Sequence, residues 1–216
     1  MLTVDAREQM IEQQVRAWDV LDGRVLALLR NVPREHFVPP AQRCFAFADL
    51  EVVLPHGQHM LRPSVAGRLL QALELDGTEQ VLQIGAGSGF ITACLAASAA
   101  QVRSMEIFPD LAALARDNLA SLGVRNVEIT ATDGMQIDSR TRYGAIAVTG
   151  SMPEYRDVFQ RQLEVGGRLF VFVGAAPAMD ARLIRRTSEE AWTSESLFET
   201  VVDPLMNAPR PPEFRF

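Results

Sequence analysis

The run Val81-Leu82-Gln83-Ile84-Gly85-Ala86-Gly87-Ser88-Gly89-Phe90 constrains this chain more than any other stretch. Mostly apolar residues lead into three glycines spaced Gly-x-Gly-x-Gly, and Ile91-Thr92-Ala93-Cys94-Leu95-Ala96-Ala97 follows with the composition of a helix. A strand that turns on glycines and restarts as a helix is a nucleotide-binding geometry. Glycine turns sharply and brings the backbone within contact of a ligand that a Cβ would block. Tight turns also carry glycine for packing alone, so the neighbouring segments must decide.

From residue 79 onward the pattern alternates. Strands are expected near 79–84, 101–107, 126–131, 144–149 and 167–173, and helices near 89–98, 110–122 and 153–163. The helix at 110–122 is the clearest, with Leu111, Leu114, Ala115, Leu119 and Leu122 in phase and Gly123 as its stop. Such alternation implies a mostly parallel sheet covered on both faces. Ala181–Thr187 and Trp192–Val202 flank the polar turn Ser188-Glu189-Glu190 and read as an antiparallel pair at the sheet edge. The proline-rich tail from Pro204 to Phe216 reads as irregular.

Ahead of this core, residues 5–18 are expected to be helical. Asp5 with Glu8 resembles a capping box, and Met10, Ile11, Val15 and Trp18 share a face. Asp22 can cap a second helix, carrying Val25, Leu26 and Leu29, that stops before Pro33. Ser64 is expected to cap a third, with Val65, Leu69, Leu70 and Leu73 inward. The organisation expected is an N-terminal helical extension over 1–63, which the resemblance stated below places on the substrate side, and an α/β core over 64–216, forming one compact unit.

A parallel sheet holds its ligand at the carboxyl ends of its strands, where the strand order reverses. Glu106 ends the second strand at about the distance beyond the glycines where a carboxylate takes ribose hydroxyls. Asp133-Gly134 ends the third strand at the same rim and suits an adenine amino group. A dinucleotide fingerprint spaces its glycines G-x-G-x-x-G to bring a helix N-terminus onto a pyrophosphate. The spacing here is tighter, which favours S-adenosylmethionine, a ligand without phosphates that needs close backbone approach.

Bulk composition narrows the partners. The chain has 216 residues, a net charge of −6 and two cysteines. An acidic balance argues against a nucleic-acid partner. No metal-ligand spacing or disulfide framework is present, and Cys94 reads as a buried small hydrophobe. No apolar run suits a signal peptide or a membrane span, so the expectation is a cytoplasmic protein without membrane partners.

At this point the chain resembles the protein-L-isoaspartate (D-aspartate) O-methyltransferase family. Glu12-Gln13-Gln14-Val15-Arg16, Asp22-Gly23-Arg24-Val25-Leu26 and Val32-Pro33-Arg34-Glu35-His36-Phe37-Val38-Pro39 look like its N-terminal segments. Ala46-Phe47-Ala48-Asp49, Gly57-Gln58, Pro63, Leu122-Gly123-Val124-Arg125-Asn126-Val127, Val148-Thr149 and Gln162–Leu169 continue the likeness over roughly residues 10–175. The resemblance implies a Rossmann-like fold with a seven-stranded, mostly parallel sheet, an antiparallel C-terminal edge and a helical N-terminal extension. It also implies transfer of a methyl group from S-adenosylmethionine to the carboxylate of an isoaspartyl residue, leaving S-adenosylhomocysteine. The cofactor-binding positions it implies are Gln58, Gln83, Gly85, Ala86, Gly87, Ser88, Gly89, Glu106, Ile107, Asp133 and Gly134.

The substrate-side loop departs from the family's Gly-Gln-Thr-Ile-Ser-Gln-Pro. Here it reads Gly57-Gln58-His59-Met60-Leu61-Arg62-Pro63, so His59, Leu61 and Arg62 occupy the acceptor positions. Gln83 stands where the family has glutamate, and Gly144 where it has aspartate. Leu61 cannot replace a hydroxyl donor, whereas Arg62 could grip a carboxylate with two parallel hydrogen bonds and His59 can titrate near neutral pH. The expected acceptor is therefore an isoaspartyl protein or peptide, with a small molecule, or cofactor binding without catalysis, as alternatives.

Overall fold

The computed structural model describes residues 2–137 and 140–210. The chain opens with α1 (Leu2–Met10), which passes through a π turn (Ile11–Val15) and a 3₁₀ turn (Arg16–Trp18) to a left-handed stop at Asp19. The helix thus begins before the expected capping box. Asp5 lies inside its first turn, and Glu8 instead pairs with Arg30 at 2.9 Å. Next come α2 (Gly23–Asn31), whose cap Asp22 accepts the Arg24 amide at 2.8 Å, and the short α3 (Arg34–Phe37).

A small hairpin of β1 (Val52–Val53) and β2 (His59–Met60) then leads into α4 (Pro63–Leu73). Arg62, not Ser64, is the residue before α4, with Pro63 in its first position. The cap comes from outside the helix: Asp49 accepts from the Ser64 amide at 3.0 Å and from its hydroxyl at 2.9 Å. Proline has no amide to satisfy and its fixed φ suits a first helical position, so a distant carboxylate suffices to start the helix here.

The core follows as β3 (Gln80–Ile84), α5 (Phe90–Ala96), β4 (Gln101–Glu106), α6 (Pro109–Ser121), β5 (Val127–Ala131), β6 (Tyr143–Met152), β7 (Leu163–Ala175), β8 (Ala178–Arg186) and β9 (Trp192–Thr200). These strands form one sheet in the order β5-β4-β3-β6-β7-β8-β9. Strands β3 to β7 pair in parallel, and β8 and β9 add antiparallel. The order reverses between β3 and β6, so the glycine turn after Ile84 sits at the switch point.

The alternation of side chains splits the core in two. Val81, Ala145, Ala147, Phe170 and Phe172 join a cluster to which all six α-helices contribute. Leu82, Ile84, Ile146, Val148, Leu169 and Val171 face the other way. Both faces are covered, but helices cover only one. The second is closed by Met135, Tyr155, Phe159 and Trp192, from connections and the sheet edge.

The helix expected at 153–163 is absent; that segment holds only a 3₁₀ turn at Gln160–Gln162. The strand before it is longer than expected, and β7 begins beside its start, with Tyr143 opposite Leu163. The link must return along a ten-residue strand, roughly 30 Å at the strand rise. A helix over residues 153–162 would advance only about 15 Å, and the segment instead runs through bends and turns into its 3₁₀ turn. Phe159 plugs the core beneath it, and Tyr155 donates a 2.6 Å hydrogen bond to Gln160.

The tail is irregular but attached. Pro204 bridges to Ser151, the Ser151 amide donates to the Asp203 carbonyl at 2.9 Å, and the Leu205 amide donates to the Ser151 carbonyl at 2.8 Å. Residues 211–216 lie outside the described part. Among the described residues no helix is long and apolar enough to cross a membrane.

Candidate active site

The turn after β3 is held at left-handed angles, with φ of 90° at Gly85 and 95° at Gly89. A Cβ at Gly85 would fall 2.4 Å from Thr149 Oγ1, and one at Gly89 would press on the α6 backbone at Ala115. Both positions therefore need glycine for the angle and for the space. Thr149 Oγ1 lies 2.9 and 2.8 Å from the carbonyls of Ile84 and Gly85 and shares its hydrogen between them. Gln83 is buried beneath the turn, donating to the Gly85 carbonyl at 2.8 Å and accepting from Ser104 Oγ at 3.3 Å. A neutral amide serves here because it can donate and accept at once.

The two carboxylates of the rim are engaged by backbone. Glu106, 5% exposed, accepts the Gly87 amide at 2.9 Å on Oε2 and the Phe108 amide at 3.1 Å on Oε1. Asp133 accepts the Met135 amide at 2.9 Å, and its second oxygen takes Gln136 at 3.2 Å and Asn207 of the tail at 3.0 Å. Both Glu106 oxygens and Asp133 Oδ1 retain lone-pair capacity, whereas Asp133 Oδ2 already accepts two hydrogen bonds.

Above the rim lies a cleft of about 980 Å³, counted with its open mouth. Gln58, Gln83, Gly85, Ala86, Gly87, Ser88, Glu106, Ile107, Asp133 and Gly134 all line it, whereas Gly89 lies behind it as the cap of α5. Ser88 Oγ is buried and has no hydrogen-bond partner among the described residues. A buried hydroxyl left unpaired costs about 1–3 kcal/mol.

The far end of the cleft is built from two distant segments. His56, at a φ of 62°, stacks on Phe108 with ring centroids 4.2 Å apart and brings Nε2 to 2.8 Å from both Asp110 oxygens. That hydrogen bond holds the Asp110 carboxyl below its usual value. Beyond His56, His59 and Leu61 line the cleft. His59 Nδ1 lies 2.9 Å from Asp203 Oδ2, and Leu61 is buried. Arg62 does not line the cleft: its guanidinium donates to Thr200 Oγ1 at 3.0 Å and lies over the Trp18 ring. The likeness in sequence placed it in the acceptor set, but its position before α4 turns it to the outside.

Arg34 fixes this loop from below. Fully buried, it donates to the carbonyls of Ala46 at 3.0 Å and Leu61 at 2.9 Å, with its guanidinium carbon 4.9 Å from the Phe90 ring centroid. Burial lowers its pKa to about 10 and pushes the neighbouring Cys94 thiol up to about 12. Sequence reading missed Glu51, Phe108, Asp203 and Leu205 as cleft residues. Asp203 and Leu205 belong to a tail whose composition signals only irregularity, and nothing local marks Glu51. Among the described residues no group of three or more His, Cys, Asp or Glu is placed to hold a metal.

A glycine turn at the switch point, a carboxylate on the next strand and an antiparallel C-terminal edge define the class: an α/β methyltransferase dependent on S-adenosylmethionine. The family model of protein-L-isoaspartate (D-aspartate) O-methyltransferase matches residues 5–208. The chain belongs to that family. It is 39% identical over 203 residues to protein-L-isoaspartate O-methyltransferase 1 of Rhodopseudomonas palustris strain HaA2, covering 93% of this chain and 82% of the relative. It is 40% identical over 182 residues to the protein-L-isoaspartate O-methyltransferase of Methanoculleus marisnigri, covering 83% of each. The fold matches, at a TM-score of 0.77 and 18% identity, a Plasmodium falciparum structure described as a protein-L-isoaspartate O-methyltransferase in complex with S-adenosyl-L-homocysteine. That match covers 92% of this chain and 97% of the other.

Proposed function

We propose that the cleft binds S-adenosylmethionine along the β3–β4–β5 rim and that the chain methylates the free carboxylate of isoaspartyl residues in proteins and peptides. The observation that carries this is the pairing of Glu106 with the Gly87 amide across the switch point. It fixes an acidic group beside a glycine backbone and below the unpaired Ser88 hydroxyl. In this reading Glu106 takes the ribose hydroxyls, Asp133 and Gly134 meet the adenine, and Gly85 and Gly87 leave room for the chain bearing the sulfur. Gln58 and Ile107 close the sides.

When bound, the cofactor supplies a methyl group on a sulfonium: its carbon–sulfur bond breaks as a carboxylate oxygen–carbon bond forms, giving a methyl ester and S-adenosylhomocysteine. No proton moves, because the acceptor is already ionised at neutral pH. The chain's residues therefore bind, align and exclude water, and positioning accounts for most of the rate. Leu54, Leu61 and Phe90 supply apolar wall at the cleft, and the His56–Phe108 stack holds the loop across its mouth.

Incubation with an isoaspartyl peptide and methyl-labelled S-adenosylmethionine tests the proposal. A base-labile ester formed on that peptide, and not on the aspartyl isomer, is the expected result. Binding of S-adenosylhomocysteine without ester formation would overturn the acceptor assignment.

A further inference from the structure

An acceptor that arrives as an anion meets a cleft whose ionisable side chains are mostly acids. Among the described residues Glu51, Glu106, Asp133 and Asp203 are its carboxylates, and His59 is its one basic side chain. Glu106 and Asp133 are occupied at the rim by backbone amides. Arg62, the cation expected from the loop sequence, is turned away onto Thr200 and Trp18. Something at the far end must offset the negative charge of the substrate, and the loop has no hydroxyl at position 61 to do so.

We infer that His59, held through Nδ1 by Asp203, binds the acceptor carboxylate through Nε2. This rests on the isoaspartyl reading above and names the residue that confers acceptor recognition in it. The geometry supports each part. His59 is about one-third exposed, as a residue facing an open cleft should be, and Asp203 is exposed to the same degree. Nδ1 is engaged by Asp203 at 2.9 Å, which orients the ring and leaves Nε2 as the nitrogen to meet a ligand. The contact joins residues 144 positions apart, and both sides are anchored. His59 is in β2, opposite Val53, while the Asp203 carbonyl accepts the Ser151 amide at the end of β6.

Glu51 before β1 lines the same cleft and interacts with His59, Asp203 and Arg62, so the ring lies among two carboxyl groups and a guanidinium that is engaged by Thr200. The pairing uses both ring nitrogens as donors, Nδ1 to Asp203 and Nε2 to the acceptor carboxylate. Asp203 is the positioning residue of the pair; His59 is the group that touches substrate.

The test compares the native protein with His59→Gln and Asp203→Asn. KM and kcat for an isoaspartyl peptide and S-adenosylhomocysteine affinity are measured for each. His59→Gln should raise KM roughly tenfold or more with little change in kcat, the pattern of lost binding common to ground and transition states. Affinity for S-adenosylhomocysteine should stay within about twofold of native, since the rim is untouched. Asp203→Asn should also raise KM with kcat little changed, but by less, because the ring remains and loses only the carboxylate that orients it. A native KM in either variant overturns the inference. If His59→Gln does not fold, as thermal unfolding would reveal, the KM of the near-isosteric Asp203→Asn decides alone. Failure of the isoaspartyl reading itself is distinct, because the native protein would then form no ester.

Discussion

Glu106 Oε2 accepts the Gly87 amide at 2.9 Å, joining the end of the second core strand to the glycine turn that ends the first. The other oxygen accepts Phe108, so one carboxylate fixes both the turn and the start of α6. Parallel pairing of Ile84 with Met105 brings these ends level. Replacing Glu106 with alanine should weaken S-adenosylhomocysteine binding by about 1–3 kcal/mol, the loss of a charged hydrogen-bond set. Glu106→Gln should fall between, because its single acceptor oxygen can serve only one of the two amides. Calorimetry on the three proteins checks the order, and equal affinities would mean that the ribose lies elsewhere.

Gly85 and Gly77 both have positive φ, at 90° and 98°, but only Gly85 is crowded. Gly77→Ala should cost about 1 kcal/mol from the angle alone. Gly85→Ala should cost more, about 2–4 kcal/mol, as Thr149 Oγ1 is displaced from the carbonyls of Ile84 and Gly85. Urea unfolding of the two variants measures the difference. Gly85→Ala should also lose cofactor binding, and Gly77→Ala should not.

His56 clasps the β1–β2 loop to Phe108 and Asp110. His56→Ala should leave the global unfolding temperature nearly unchanged, since the contact is at the surface. It should speed amide hydrogen exchange across residues 55–60 and raise the dissociation constant of S-adenosylhomocysteine several-fold. Unchanged exchange in the loop would show that the hairpin is held without the clasp.

Glu51 keeps water on one side, yet burial of the other raises its pKa above the ordinary 4.5; His59 and Arg62 oppose the rise and Asp203 adds to it. A raised carboxyl pKa means that the fold favours the protonated form. The stability this contributes is complete below the ordinary value and is lost as pH rises through the folded value. Glu51→Gln removes the cost of the buried anion. It should unfold at a higher temperature than the native protein at pH 7, with the gap closing near pH 4. A gap independent of pH would rule out the titration as its cause.

Cys44 is exposed and Cys94 is fully buried, pushed up to about 12 by that burial. A thiol reagent at pH 8 should modify one cysteine in the native protein and the second only on unfolding. The protonated Cys94 thiol also contributes stability that is complete below its ordinary value of 9.0 and lost as pH rises towards the folded value. Between pH 8 and 10 the native protein should therefore lose more urea resistance than Cys94→Ala. Equal losses would place the alkaline sensitivity elsewhere.

The cofactor rim was readable because its parts are local. A strand, three glycines and a helix are contiguous, and the ends of β4 and β5 each carry an acid, so Gly85, Glu106 and Asp133 needed only the parallel alternation to meet. Local pattern failed where a distant group took over a local role. Asp49 replaces Ser64 as the cap of α4, and the segment after β6 folds into turns over buried Phe159 in place of the helix expected there. Arg62 likewise has the chemistry of an acceptor clamp but a direction set by Thr200 and Trp18.

By itself the sequence determined the α/β core, the turn that fits an adenosyl cofactor and membership of a family, because these depend on periodicity and on short contiguous motifs. Only the tertiary structure decided the acceptor end. Its Nδ1–carboxylate pair joins a two-residue strand to an irregular tail 144 residues later, and no spacing rule relates them. What brings them together is the stitching of the tail onto Ser151 at the end of β6, a consequence of where the sheet places that strand.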